Sequence, residues 1–418
     1  MKNMKKLVAL MLVAALSVVS LTACGGTTDS GTSGSTTAAS NTAATAAANT
    51  TTANTAANTT GTAAASGSGD TFLIGGIGPL TGAAASYGIS VKQGAQTAID
   101  EINAAGGVTA GGKTYKFAMQ FEDDEATEDK AITAYNTLMD AGINVLMGAV
   151  TSGACLAIVD QTAADGILQI TPSGSSKDCT KNSNAFRICF TDPMQAVQMA
   201  DYIVTTKGLT KIAVIYNTAD EYSSGINDAF TAEVKAKGGE VVDSEAFQTD
   251  DKDFNSQLTN IKKSEAQAIF VPAYYQDATY ITKQAKELGI TLPFFGSDGW
   301  DGVLSTVTDT STVEGATFLS PFYADSTDAA VQKFVAAYKA AYNATPDQFA
   351  ADGYDCVYTF KAALEKAGST DNKALIDAMT QISVDGVTGT GITWTADGEP
   401  NKAAKFIQIV GGKYTQAQ

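Results

Sequence analysis

Past residue 70 the chain alternates between short apolar runs and longer stretches whose apolar positions recur every three or four residues. Residues 72–77 read as a strand, and Val91, Ala95, Ala98, Ile99 and Ile102 then fall on one helical face. The rhythm continues with strands at 115–121, 144–147 and 167–170, separated by helices at 130–139 and 154–164. It restarts after Asp192-Pro193: a helix to 206, then strands at 211–216, 240–246, 268–271 and 293–295 with helices at 226–237, 254–262 and 278–288 between them. Helices at 329–342 and 350–366 follow, and strand-like segments near Thr393 and at 406–410 close the chain. Repeated strand-helix units predict an α/β protein of two doubly wound parallel-sheet lobes. The late segments return to both lobes, so a ligand cleft is expected between them. The expected division is 70–193 with 322–403 for the first lobe, and 194–321 with 404–418 for the second.

The first 69 residues follow other rules. Lys2, Lys5 and Lys6 precede an apolar run at 7–19, which is too short for an ordinary spanning helix. A basic start, a short apolar core and small residues before a cut mark residues 1–23 as a secretory signal. Leu21-Thr22-Ala23-Cys24 resembles the lipobox of bacterial lipoproteins, in which the thiol of Cys24 takes a diacylglyceryl group. Residues 25–69 are built from Ala, Thr, Ser, Gly and Asn with Asp29 as their only charge. Such a segment has nothing to bury and is expected to be a disordered spacer, with a reach of roughly 35–40 Å. An extracytoplasmic body tethered to the membrane by lipid alone is the expectation.

Charge and chemistry narrow the function. Loss of residues 1–23 removes three lysines and no acid, which takes the net charge from −17 to −20. Nucleic acid and anionic lipid both demand a basic face, so neither is expected as a partner. The chain has no histidine, which removes His-based triads and imidazole metal sites together. No catalytic residue, metal or cofactor is expected. Cys179 and Cys189 flank a short loop-like stretch and form the one candidate bridge, with buried free thiols the competing reading for all four cysteines of the body.

Two glycine-rich segments invite a phosphate reading. Residues 107–114 match the GxxxxGK[ST] loop, but that loop works between a strand and a helix, and here it follows a helix and precedes a strand. A turn that ends the helix and reverses the chain is the better reading. Gly75-Gly76-Ile77-Gly78-Pro79 lacks the third glycine of a dinucleotide fingerprint and reads as a tight crossing into the first helix.

Ligands of open α/β sheets sit beyond the carboxyl ends of the strands. The residues found there are consistent among themselves. One half offers Thr151-Ser152-Gly153 opening a helix, and Ser173-Gly174-Ser175 after a strand. Hydroxyls and helix N-terminal amides of this kind suit a carboxylate. The other half offers Tyr222, Tyr274 and Asp298 with Trp300, a carboxylate among aromatic faces that suits an ammonium and an apolar side chain. Together they describe a zwitterion held between lobes. Each also has a purely structural reading: Ser152 as a helix cap, Asp298 as a turn residue, Tyr222 or Tyr274 as core. A hydrolase built on Ser152 or Ser173 would lack a base.

The body resembles the leucine/isoleucine/valine-binding family of solute-binding lipoproteins of ABC importers. The resemblance is carried by residues 77–82 with Tyr87-Gly88, by 102–108, and by Glu122-Asp123-Asp124. Further along it rests on 166–168 with Thr171-Pro172, Phe186-Arg187, Lys252-Asp253-Phe254 and 296–299. It implies the type I periplasmic-binding-protein fold and a receptor that passes an amino acid to the ABC permease subunits. It further implies that Ser152 holds the ligand carboxylate, that backbone groups at Ser173 and the Ser175 hydroxyl serve both carboxylate and ammonium, that Tyr222 closes over the ligand, and that Asp298 meets the ammonium. Tyr87, Tyr274 and Trp300 would wall the side-chain pocket. Asp298 stands where some relatives carry Glu, one methylene longer. The expected ligand is a branched-chain or other apolar or aromatic amino acid, the receptor a monomer, and the hinge near Pro193 and Pro321. The alternatives are a sensory ligand-binding module, or an amide, urea or aromatic acid as solute.

Overall fold

The computed structural model describes residues 70–417; the expected signal, Cys24 and the spacer lie outside them. The chain opens with β1 (Asp70–Gly78), α1 (Ala85–Ala104) and a hairpin of β2 (Val108–Ala110) and β3 (Lys113–Asp123). Then come α2 (Glu128–Asp140), β4 (Val145–Met147), α3 (Ser152–Asp165), β5 (Gln169–Thr171) and β6 (Ala185–Arg187). These strands form one sheet in the order β2-β3-β1-β4-β5-β6, parallel except for β2. β1 pairs with both β3 and β4 and is buried along most of its length, as a central parallel strand with helices on both faces must be.

The second sheet begins after α4 (Asp192–Asp201), with β7 (Lys211–Asn217), α5 (Glu221–Ala236), β8 (Glu240–Phe247), α6 (Asn255–Lys263) and β9 (Ala268–Val271). It continues through α7 (Tyr275–Glu287), β10 (Phe294–Gly296), the single turn α8 (Val303–Thr306) and β11 (Thr317–Ser320). The chain then adds α9 (Ala329–Tyr342), α10 (Gln348–Ala367) and α11 (Asn372–Met379), and finishes with β12 (Lys405–Val410) and β13 (Lys413–Gln416). The strand order is β13-β12-β11-β10-β9-β7-β8, with β12 alone running opposite to the others. The two lobes expected from the hydrophobic rhythm are these two sheets.

The segment that matches a phosphate loop is the β2–β3 hairpin. Gly111 and Gly112 sit at its tip with φ of +57° and +79°, a conformation that suits glycine in a tight hairpin turn. What meets the tip is the far end of a late helix (residues 348–367): a Cβ on Gly111 would lie 2.5 Å from the Gly368 carbonyl oxygen.

α10 packs on α1 and so belongs with the first sheet. The two helices touch backbone to backbone. A Cβ on Gly353 would lie 2.3 Å from the carbonyl oxygen of Val91, and one on Gly94 would lie 1.8 Å from that of Ala350. Glycine at both positions is what permits this approach. It brings Tyr87 of α1 and Phe349 of α10 into ring contact, with centroids 4.1 Å apart.

The chain passes between the sheets three times: after β6, after β11 and before β12. Lys402 donates to the Ile188 carbonyl at 2.7 Å and to Asp352 Oδ1 of α10 at 3.0 Å. Lys405 donates to the Pro321 carbonyl. Two lysines of the third crossing thus hold the other two. All four described cysteines, Cys155, Cys179, Cys189 and Cys356, are buried free thiols. The candidate Cys179–Cys189 bridge is not formed.

Candidate functional site

The carboxyl ends of β4 and β5 face those of β7, β9 and β10 across a small enclosed space. Its walls are Val150, Thr151, Ser152 and Ser173 on one side, and Tyr222, Tyr274, Asp298 and Gly299 on the other. Tyr87 and Phe349 complete it from the first lobe's helices. The walls stand close together, leaving a cavity of only about 10 Å³ between them.

Ser152 is the first residue of α3, where unpaired N–H groups give the helix start a partial positive charge. Its Oγ accepts the backbone N–H groups of Ser175 and Ser176, each at 3.1 Å. The hydroxyl proton is therefore left to be donated elsewhere. Ser173 Oγ donates to the Val150 carbonyl at 3.1 Å. Ser175 stands behind Ser152 rather than on the cavity surface, and its fully buried hydroxyl has no partner. The Thr151 hydroxyl on the cavity wall is also buried and unpaired.

Arg187 fixes this loop from beneath. Its guanidinium, fully buried, donates to the carbonyls of Gly174 at 2.8 Å and of Ser176 and Lys177 at 3.0 Å, and its Nε pairs with Glu399 at 3.1 Å. With the Thr180 hydroxyl at 3.1 Å, five acceptors around one planar fork define where the loop of serines lies.

On the opposite wall the Tyr222 hydroxyl donates to Asp298 Oδ1 at 2.5 Å, and accepts the Gly299 N–H at 2.9 Å. Asp220 caps α5 through the Ser223 N–H at 3.1 Å, which fixes the turn from which Tyr222 projects. Burial pushes the Asp298 carboxyl up to about 6, with the Tyr222 hydroxyl opposing the shift. Such a group ionises readily once a cation arrives beside it. Tyr274 stacks on Tyr222, with centroids 5.2 Å apart, and meets Tyr87 edge-on at 5.5 Å. Two amides secure the Asp298 backbone: Gln195 accepts its N–H at 2.9 Å, and Gln348 donates to its carbonyl at 2.6 Å. The Tyr87 hydroxyl donates to the Gly299 carbonyl at 2.5 Å and accepts the Tyr275 N–H at 3.1 Å, joining the lobes directly.

The structure thus brings together Tyr87, Ser152, Ser173, Tyr222, Tyr274 and Asp298, with Ser175 one layer behind. Trp300 requires correction. Its side chain is fully buried under the second sheet, where the indole N–H donates to the Val271 carbonyl at 2.8 Å. The ring occupies the space that a Cβ on Gly296 would fill. Phe349, which the sequence reading missed, stands in the wall instead. Its only signal was an aromatic residue near the start of a late helix.

Outward, the cavity leads past Thr151 and Tyr274 to a wider mouth of about 480 Å³. Glu125 and Glu128 border it from the first lobe, and Asp220, Asp250, Asp251 and Asp277 from the second. Acids on both rims disfavour an anionic solute.

No helix among the described residues is long and apolar enough to cross a membrane. No group of three or more Cys, Asp or Glu side chains among them could hold a metal ion.

Comparisons with known proteins agree with this geometry. The chain is 32% identical over 301 residues to the Leu/Ile/Val-binding protein BraC3 of Rhizobium johnstonii, covering 72% of this chain and 80% of that one. It is 32% identical over 322 residues to the Leu/Ile/Val-binding protein homolog 3 of Brucella melitensis, covering 77% and 85%. Its fold matches the branched-chain amino acid transporter substrate-binding protein LivJ of Streptococcus pneumoniae in complex with isoleucine. The TM-score there is 0.76 at 30% identity, over 83% of this chain and all of that one. The leucine binding protein LivK of Thermotoga maritima gives a TM-score of 0.77 at 25% identity, over 83% and 97%. The profile of the family described as Periplasmic binding protein matches residues 71–413, and the chain belongs to that family, one of solute-binding proteins rather than enzymes.

Proposed function

We propose that this protein captures a zwitterionic amino acid with an apolar side chain and presents it to an ABC importer. One observation carries the reading: Asp298, buried among Tyr222, Tyr274 and Tyr87, faces the Ser152 helix start across a narrow cleft. The ligand carboxylate meets the Ser152 hydroxyl and the first amides of α3, with the Ser173–Ser175 loop behind them. Its ammonium meets Asp298. Tyr87, Tyr274 and Phe349 receive the side chain. Both charges of the ligand would then be buried in hydrogen-bonded pairs, the condition under which their burial is tolerable.

In this reading the lobes are residues 70–193 with 322–403, and residues 194–321 with 404–418. They close about the crossings at Pro193 and Pro321, with no bond made or broken in the ligand. The protein acts as a monomer, held outside the cytoplasm by a lipid on Cys24. Structurally similar relatives include a Rhodopseudomonas palustris solute-binding protein in complex with benzoate. A lone carboxylic acid would leave Asp298 without a cation and would have to pass an acidic mouth.

Titration calorimetry against the twenty amino acids and benzoate tests the reading. An apolar amino acid is expected to bind one to one, and to be recovered chemically unchanged. Tighter binding of benzoate than of every amino acid would overturn it. Fractionation of cells expressing Cys24→Ser tests the anchor, and the variant is expected to leave the membrane fraction.

A further inference from the structure

A second cavity, of about 510 Å³, lies between the lobes beside the amino-acid site. The same three segments wall both spaces. Tyr87, Asp298 and Phe349 face the first, while their near neighbours Ser86, Asp301 and Asp347 face the second. A volume of this size falls within the usual range for small-molecule sites, about 300–1,000 Å³.

Much of its remaining lining is apolar or aromatic: Phe318, Phe322, Ile407, Tyr338 and Tyr414. Against that surface stand two carboxyls from opposite lobes. Asp301 is 5% exposed and accepts the Gln348 backbone N–H at 2.9 Å. Asp347 accepts the Ser90 hydroxyl at 2.7 Å and caps α10 through the Ala350 N–H at 2.9 Å. Lys413 reaches the rim and is exposed, and no ion pair joins either carboxyl to a lysine or arginine among the described residues. Two acids thus face one cavity with neutral donors only. Ser86 adds a hydroxyl that is buried and unpaired, and the Tyr414 hydroxyl accepts the N–H groups of Gly302 and Leu304 at 3.1 and 3.3 Å.

We propose that this cavity binds a primary organic ammonium with an apolar body, its cation between Asp301 and Asp347 and its hydrocarbon against Phe318, Phe322 and Ile407. Both halves of the lining are needed for the assignment. The aromatic surface alone would accept any small hydrophobe, and the two acids alone would accept water or sodium. Burial, and then the charge of Asp347, push the Asp301 carboxyl well above the usual carboxylate range. A cation between them relieves both causes, because it pairs with the charged form of each acid. Tyrosine faces add attraction for an ammonium held near them.

Benzylamine is the probe, with benzyl alcohol and benzoate as the neutral and anionic counterparts. Calorimetry and native mass spectrometry on the full chain are expected to show one equivalent of benzylamine. The two counterparts should bind at least tenfold more weakly. Asp347→Asn keeps a good helix cap and should weaken benzylamine by tenfold or more; Leu304→Trp, which fills the cavity wall, should do the same. Ser152→Ala should lower amino-acid affinity and leave benzylamine binding intact. Absence of benzylamine binding, or equal binding by Asp347→Asn, overturns the proposal. Loss of benzylamine in Ser152→Ala would overturn it too, by placing the amine in the amino-acid site.

Discussion

Lys402 and Asp352 form an ion pair 3.0 Å apart whose side chains are 1% and 2% exposed. The lysine lies on the third passage between lobes and also holds the Ile188 carbonyl of the first. Burial pushes the Asp352 carboxyl up to about 7 even with that lysine beside it. Lys402→Met leaves a buried acid alone where the crossings meet, and loss of one partner of a buried pair typically costs about 3–5 kcal/mol. The urea midpoint should fall accordingly. The double variant Lys402→Met/Asp352→Leu should recover most of that loss, because it leaves no uncompensated charge. A single variant as stable as the wild type would show that the pair does not hold the crossings together.

Asp298 carries the ammonium end of the proposed ligand. Asp298→Asn preserves size and removes the charge, leaving the buried ammonium unpaired. A cost of about 3–5 kcal/mol corresponds to roughly two to three decades in affinity. Calorimetry on the best amino acid checks it. A loss of less than about threefold would move Asp298 out of the site.

The same group sets a pH dependence. In the unliganded protein its carboxyl titrates at about 6, and an ammonium beside it lowers that value. Binding below pH 6 must therefore expel a proton, so affinity should fall by up to about tenfold per pH unit there and level off above. Asp298→Asn should flatten this leg. Asp220→Asn, at the mouth, should keep it. Stability of the empty protein runs the other way. A carboxyl raised above its unfolded value binds more protons folded than unfolded, so it costs stability as pH rises through the interval. Asp124 and Asp277, each at about 7, add to Asp298 in the same direction. The unliganded body should accordingly be more stable at pH 5.5 than at pH 8.

Which parts of this arrangement could be seen in the chain follows from geometry. Ser152, Ser173, Tyr222 and Asp298 each lie just past a strand that hydrophobic runs betray, and the carboxyl-end rule for parallel sheets then places them together. β6 and β11 escaped because they are strands of three and four residues, buried throughout and carrying Arg187 or ending in Ser320. They show neither alternation nor a long apolar run. Phe349 reaches the site only because two helices touch through Gly94 and Gly353, a contact between positions distant in sequence. Trp300 misled for a local reason. Residues 298–300 form a tight single turn, in which positions two apart point in different directions. Asp298 therefore faces the ligand space while Trp300 turns beneath Gly296.

Arg187 offers the sharpest test of how the serine wall is held. It touches no proposed ligand atom, yet its guanidinium gathers the carbonyls of Gly174, Ser176 and Lys177, the Thr180 hydroxyl and the Glu399 carboxylate. Arg187→Lys keeps the charge but offers three donors on one atom, and cannot reproduce a planar fork reaching five acceptors. Hydrogen bonds to a charged group are worth about 1.5–3 kcal/mol each, so losing even two leaves buried carbonyls unpaired and should cost at least about 2 kcal/mol of stability. Because those carbonyls belong to the loop whose N–H groups hold Ser152 Oγ, affinity should fall as well, by roughly tenfold. The two losses have a common cause and should appear together; Ser152→Ala, which leaves the buried Ser175 and Ser176 N–H groups without their acceptor, should lower both as well. An Arg187→Lys variant that unfolds more easily yet binds its amino acid with wild-type affinity would show that the serine loop is positioned by something other than Arg187.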